Sequence, residues 1–207
     1  MNDFSFSMPT KVVFGRGMTD HTGSELASRG FKHALVVYGK GSVVRTGTLD
    51  RVLASLDAAG VAHTEFGGAQ PNPSLAHARE GVEVARASGA DVVLAVGGGS
   101  VIDTAKGIAL GAPYQGDLWD LYTHAAKPVA EGKLPVACAL TIPAAGSEAS
   151  ASSVLTNEET HLKKGLSSEL NRPVVSVLDP ELTFTLPTYQ TAAGVTDMCA
   201  HILERFF

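Results

Sequence analysis

The chain has 207 residues, 44% of them apolar and 18% charged, with a formal net charge of −5. That length holds one large domain or one and a half, and the composition suits a packed core. The acidic balance excludes an electrostatic grip on nucleic acid or an anionic membrane surface, and no apolar run approaches the roughly 18 residues of a membrane span.

The start, MNDFSFSMPT, has no basic segment followed by an apolar stretch and is not a signal peptide. Phe4, Phe6 and Met8 alternate with polar residues and lead into Lys11–Gly15, which predicts a β-ribbon. Residues 18–29 suit a helix. Ala34–Tyr38 reads as a buried strand ending in Gly39-Lys40-Gly41-Ser42. A helix of about 15 residues is expected from there to Gly60. Thr64–Phe66 is a short strand. Gln70-Pro71-Asn72-Pro73-Ser74 is a turn, with Ser74 the N-cap of a helix that ends at Gly89.

The next stretch, DVVLAVGGGSVIDTAK from Asp91 to Lys106, reads as strand, glycine turn and helix start. Val92–Val96 is unbroken and apolar, as in a parallel strand covered on both faces. Gly97, Gly98 and Gly99 let backbone N–H groups approach an anion and permit positive φ. Ser100 is the expected N-cap, with Asp103 completing a capping box. A loop through Asp117–Trp119 leads to a strand at Pro135–Thr141, broken at Pro143 and Ala145-Gly146-Ser147. Val154–Thr156 and Val174–Leu178 are further strands, and Asp179-Pro180 and Leu186-Pro187 close the region. Strands alternating with helices predict an α/β fold with a parallel, Rossmann-like sheet over residues 1–187. Residues 188–207 carry no strand signal and read as the first helix of a second, helical domain. The helix runs onto Phe206 and Phe207 without a cap, so the chain is expected to be the N-terminal part of a longer polypeptide. Cys138 and Cys199 lie in apolar segments and are expected to be buried thiols of a reducing compartment, which favours the cytoplasm.

Chemistry concentrates in four places. The first is the glycine turn, where a helix N-terminus would meet a phosphate or pyrophosphate. The second is YGKGSVVRT at 38–46, a further strand-to-helix turn with Gly39, Gly41 and Ser42. Neither turn is a G-x-G-x-x-G, yet two glycine turns after parallel strands suit a ligand with two phosphates. No carboxylate at the second turn is placed for a ribose hydroxyl, whereas Lys40, Ser42 and Arg45 could meet a 2′-phosphate. The third is LTIPAAGSEAS at 140–150, where Thr141, Ser147 and Ser150, with Ser152 just beyond, could edge a cofactor ring. The fourth is Asp197 and His201, four apart on a helix and able to share one divalent metal or to form a plain ion pair. The remaining histidines, at 21, 33, 63, 77, 124 and 161, show no ligand spacing and are expected at the surface.

Six segments occur together and in order: FxFxxPTKVVFGRG at 4–17, PNPS at 71–74, GGGSVIDTAK at 97–106, LTIPAAGSEAS at 140–150, DPELTFTLP at 179–187 and GVTDMCAHILERF at 194–206. In them the whole chain resembles the iron-containing (group III) alcohol dehydrogenases, most of all the NADP-dependent butanol dehydrogenase and aldehyde reductase branch. The resemblance implies a dehydroquinate synthase-like sheet domain, a C-terminal all-helical domain and an active site in the cleft between them. It implies that Gly97, Gly98, Gly99 and Ser100 hold the cofactor pyrophosphate, with Asp103 near the nicotinamide. Asn72 would lie beside the nucleotide, and Thr141 and Ile142 would pack on it. Ser150, Ser152, Lys163 and Thr183 would line its nicotinamide ribose and adenine ends. Asp197 and His201 match the first two metal ligands, two further histidines being expected beyond Phe207. Gly39 stands where members using NAD commonly carry Asp, which favours NADP. The family's AGTGSE loop is shortened here to AAGSE.

The implied chemistry is hydride exchange between a primary alcohol or aldehyde and nicotinamide, with Fe²⁺ or Zn²⁺ as Lewis acid. A homodimer through the N-terminal ribbon is also implied. Two alternatives stay open at this stage. One is a nucleotide-binding fragment without catalysis. The other is a relative of the glycerol dehydrogenases or dehydroquinate synthases, which share the GGGS turn, although the PNPS and DPELTFTLP context points away from them.

Overall fold

A computed structural model describes residues 7–207. Eight strands are present among them: β1 (Lys11–Phe14), β2 (His33–Gly39), β3 (Ala62–Ala69), β4 (Val92–Gly97), β5 (Val136–Leu140), β6 (Ser152–Asn157), β7 (Leu162–Ser167) and β8 (Val175–Leu178). Six form one sheet in the order β1-β8-β5-β4-β2-β3, with every pairing parallel. β6 and β7 form a separate antiparallel hairpin. The helices are α1 (Thr22–Ala27), α2 (Ser42–Arg45), α3 (Thr48–Ala58), α4 (Leu75–Ser88), α5 (Gly99–Gly111), α6 (Leu118–Tyr122) and α7 (Thr188–Phe206).

Side-chain alternation along the strands builds two cores. Val36, Val92, Leu94, Val96, Ala137 and Val177 face Leu26 of α1 and Leu49, Val52 and Leu56 of α3. Leu35, Val37, Val93, Ala95 and Cys138 face Ile102, Ala105 and Ile108 of α5. This explains the unbroken apolar run of β4: both faces are covered, and each fully buried Val, Leu or Ile contributes about 1.5–3 kcal/mol over exposure. Gly81 lets α4 lie close on α5, because a Cβ there would stand 2.3 Å from Ile108 Cδ1.

The topology opens a crevice. From β2 the chain crosses by α3 to the edge strand β3. It returns by α4, on the opposite face, to β4 on the other side of β2. The turns leaving β2 and β4 therefore diverge at their carboxyl ends, the switch point where ligands bind in open α/β sheets.

Several sequence expectations are corrected. Lys11–Phe14 is no ribbon: it is an edge strand parallel to β8, and Phe4 and Phe6 lie outside the described residues. The single helix expected between Ser42 and Gly60 is split into α2 and α3 at Gly47, which takes φ +70°. The loop at Asp117–Trp119 is instead the start of α6, with the Asp117 carboxylate accepting from the Trp119 amide. β7 is a strand with no apolar alternation to mark it in the sequence. Cys199 is exposed, whereas Cys138 is buried as expected. The histidines are not uniformly at the surface: His33, His63 and His77 are half-buried. The His77 ring stacks on Phe66 at 4.4 Å, and burial pushes its pKa down.

Candidate functional site

The glycine turn sits at the crevice. β4 ends at Gly97, Gly98 is the N-cap of α5, and no side chain caps that end. The first amides bonded inside the helix are those of Val101 and Ile102, both donating to the Gly98 carbonyl at 3.0 and 3.2 Å. The amides of Gly99 and Ser100 have no intrahelical acceptor, and they lie at the positive end of a 13-residue helix. The expected Ser100 cap is absent because Ser100 is already inside the helix. The expected capping box fails too: the Asp103 carboxylate accepts instead from the Val154 amide at 3.2 Å. None of the three glycines takes a positive φ. Space requires them: a Cβ on Gly98 would stand 2.6 Å from Ile142 Cγ2, one on Gly97 2.5 Å from Val101 Cγ2, and one on Gly99 3.2 Å from Ser147 Oγ.

The second turn is built differently. Gly39 ends β2, Gly41 precedes α2, and α2 is only four residues long. Arg45 folds back, so that a Cβ on Gly41 would stand 2.6 Å from its Nη1. The two turns are neighbours, since Val101 Cγ2 lies close to both Gly39 and Gly97. Lys40 lies near enough to His77 to help depress its pKa.

A loop after β5 closes over the glycine turn. Thr141 donates its amide to the Gly97 carbonyl at 3.0 Å, Ile142 reaches Gly98, and Ser147 reaches Gly99. Beneath the loop lies Lys106, fully buried on α5. Its ammonium donates to the carbonyls of Ser147 (2.8 Å), Ser150 (3.0 Å) and Ser152 (2.8 Å) and to Ser150 Oγ (3.2 Å). Burial pushes Lys106 down to about 8, against the opposing charge of Asp103. Burial likewise pushes the Asp103 carboxyl up to about 6, against the pull of Lys106 and the Val154 amide. Asp103 Oδ1 is buried without a hydrogen-bond partner. No sequence motif singles out Lys106. The available signal is a cation three residues after Asp103 that opens an otherwise apolar run, Gly107 to Leu110.

Asp103, Ser147, Ser150, Ser152 and His201 border one cleft of about 670 Å³, with Met198 and Ile202 beside His201. Ala144–Ser147 also line a small recess against Gly99, so the cleft runs on to the glycine turn. Asn72 and Lys163 are joined at 3.0 Å, and Asn72 takes a left-handed φ of 57°. The PNPS turn is tied to the hairpin through a Ser74–Thr156 bridge, and Lys163 is felt electrostatically at Asp103. Thr183 lines an adjoining recess with Ile142 and Met198, its hydroxyl donating to the Pro180 carbonyl at 2.7 Å.

Asp197 and His201 are on α7, both about half exposed, with Oδ1 and Nε2 3.7 Å apart. Carboxylate oxygen and imidazole nitrogen form a donor pair suited to iron or zinc. Glu204 lies 3.6 Å from the other ring nitrogen. No cluster of three or more His, Cys, Asp or Glu able to hold a metal occurs among the described residues. The arrangement thus offers an uncapped helix end suited to an anion, a polar cleft beside it, and a carboxylate–imidazole donor pair on α7.

Comparison with known proteins adds four findings. The profile of the iron-containing alcohol dehydrogenases matches residues 9–180. NADH-dependent butanol dehydrogenase A of Clostridium acetobutylicum is 44% identical over 207 residues, all of this chain and 52% of that protein. An NADPH-dependent aldehyde reductase of Escherichia coli is 38% identical over 208 residues, again 52% of its length. The crystal structure of an NADH-dependent butanol dehydrogenase A from Thermotoga maritima superposes with a TM-score of 0.94 at 44% identity, covering 99% of this chain and 51% of that one. The chain spans about half the length of the relatives it matches.

Proposed function

This chain belongs to the iron-containing alcohol dehydrogenase family, and on that premise we propose that it forms the cofactor-binding part of an oxidoreductase that interconverts primary alcohols and aldehydes. The observation that carries the reading is the single cleft in which Asp103 and His201 meet a loop packed on the uncapped glycine turn.

In this reading the free amides of Gly99 and Ser100 take the pyrophosphate of a nicotinamide dinucleotide. The carboxyl of Asp103 and the hydroxyls of Ser147, Ser150 and Ser152 orient its nicotinamide end. Asp197 and His201 contribute two ligands to Fe²⁺ or Zn²⁺. When bound, the nicotinamide exchanges hydride and the metal supplies Lewis acidity to the substrate oxygen. Ile142 and the 144–147 segment keep water from the glycine turn. Gly39, Gly41, Ser42 and the cations Lys40 and Arg45 support NADP over NAD, and Asn72, Lys163 and Thr183 extend the site toward the adenine and ribose. We place α7 at the start of a second, helical domain, in keeping with the exposed Tyr189, Ile202, Leu203 and Phe206. Homodimerisation at the edge strand β1 is supported by exposed Met8, Val12 and Phe14. The cytoplasm is supported by two unpaired cysteines and by the lack, among the described residues, of a helix long and apolar enough to cross a membrane. The net charge of −5 speaks against a nucleic-acid partner.

The test is NADPH oxidation with butanal, measured on the polypeptide extended to its relatives' length. Aldehyde-dependent oxidation that a chelator abolishes is expected, and none at any metal loading would overturn the reading. A second reading, nucleotide binding without metal, rests on the two-ligand pair. It predicts that residues 1–207 bind NADPH and take up no iron or zinc.

A further inference from the structure

The loop over the glycine turn has an unusual division of its backbone groups. All six carbonyls from Ser147 to Ser152 accept from protein donors. Lys106 takes three of them, at 147, 150 and 152. Ser176 Oγ, Arg172 Nη1 and the Ser168 amide take those of Glu148, Ala149 and Ala151. The amides are treated differently. Ala149 donates to the Gly146 carbonyl and Ser152 to Ser150 Oγ. Those of Ser147, Glu148, Ser150 and Ala151 have no acceptor among the described residues. The loop is also a partition. Ser150 and Ser152 border the 670 Å³ cleft, and both also line a second cleft of about 690 Å³ with Ala149, Ala151 and Arg172. A wall open on both sides has little apolar packing to fix its shape, so its shape rests on polar anchors.

We propose that Lys106 is a positioning residue for the cofactor site: its buried ammonium draws the 147–152 loop in by its carbonyls, so that the amides of Ser147, Glu148, Ser150 and Ala151 are left for a bound nicotinamide dinucleotide. An ammonium has three protons and no acceptor, so it can gather carbonyls without competing for the amides. Hydrogen bonds to a charged donor are also stronger than neutral ones. Among the described residues no other bonds more than one carbonyl of the loop. The proposal rests on the cofactor reading above, but its structural half is tested apart from it.

The experiment compares the native chain with Lys106→Met and Lys106→Ala by amide hydrogen exchange, well below the melting temperature of each, and by NADPH titration. In Lys106→Met the amides of residues 147–152 should exchange at least about tenfold faster, while those of β4 and of α5 beyond its first turn keep their protection. NADPH affinity should fall by a similar factor. In Lys106→Ala, ethylammonium should slow loop exchange again, and tetramethylammonium, which has no N–H, should not. A loop equally protected in Lys106→Met would overturn the proposal. So would equal acceleration throughout β4 and α5, which marks a purely structural role, or unchanged NADPH affinity beside a loosened loop. Failure of the native chain to bind either NADPH or NADH would instead overturn the cofactor reading, and the exchange arm would still decide what holds the loop.

Discussion

The two glycine turns look alike in sequence and are unlike in structure. Gly97-Gly98-Gly99 runs into a 13-residue helix whose end carries no cap, with Ile142 and Ser147 packed where Cβ atoms would be. Gly39-Lys40-Gly41 runs into four helical residues, and the neighbour of Gly41 is the guanidinium end of the long Arg45 side chain. Glycine is needed at the first turn because rigid atoms crowd it. At the second it leaves room for a cation. The first turn therefore offers backbone N–H groups and a helix dipole, and the second offers side-chain charge.

The largest effect is expected from Gly97→Ala. Its Cβ meets Cβ as well as Cγ2 of Val101, at 2.9 and 2.5 Å, so the helix itself must shift. Overpacking of this kind costs about 1–3 kcal/mol, or roughly 3–10 °C in melting temperature, read by calorimetry. Asp103→Asn tests the buried acid of the same helix. Its carboxyl sits at about 6 in the fold against 3.8 ordinarily, so the folded chain keeps a proton there that the unfolded chain has released. That contribution to stability is complete below pH 3.8 and is lost as pH rises through 6. From pH 4 to pH 7, denaturant titrations should show the native chain losing on the order of 2 kcal/mol relative to Asp103→Asn. Gly98→Ala displaces Ile142, a β-branched side chain with little freedom to yield. NADPH affinity should drop about tenfold, near 1.4 kcal/mol, with a smaller loss of stability than at Gly97. At the second turn, Lys40→Ala with Arg45→Ala should weaken NADPH by about three- to tenfold and leave NADH unchanged, as expected for exposed charges near one phosphate. Gly41→Ala should do least, because Arg45 can swing aside. An equal effect of Gly41→Ala and Gly98→Ala would erase the distinction between the turns.

Much of this was legible in the sequence because it is local. Val92–Val96 announces a strand with two covered faces, and Ser74 and Gly89 do cap the two ends of α4. The gaps have physical causes. β7, LKKGLS, is exposed along almost its whole length, so no apolar alternation marks it. α6 is too short to show a period. The apolar period runs through Gly47 and hides the break between α2 and α3. Ser100 and Asp103 fit a capping box by spacing, but Asp103 finds its donor 51 residues away at Val154. Lys106 is likewise satisfied by carbonyls 41 to 46 residues on. The candidate residues are thus visible in the sequence as residue types, whereas the distant groups that hold them are not.

The central claim is that the uncapped turn at Gly97–Gly99 is the dinucleotide cradle. The most direct measurement is a fluorescence titration of residues 1–207 with NADPH, run beside Gly98→Ala and Gly41→Ala. Saturable binding that is weakened about tenfold by the first substitution and barely by the second is the predicted result. No binding by the native chain, or binding that Gly98→Ala leaves intact, would contradict it.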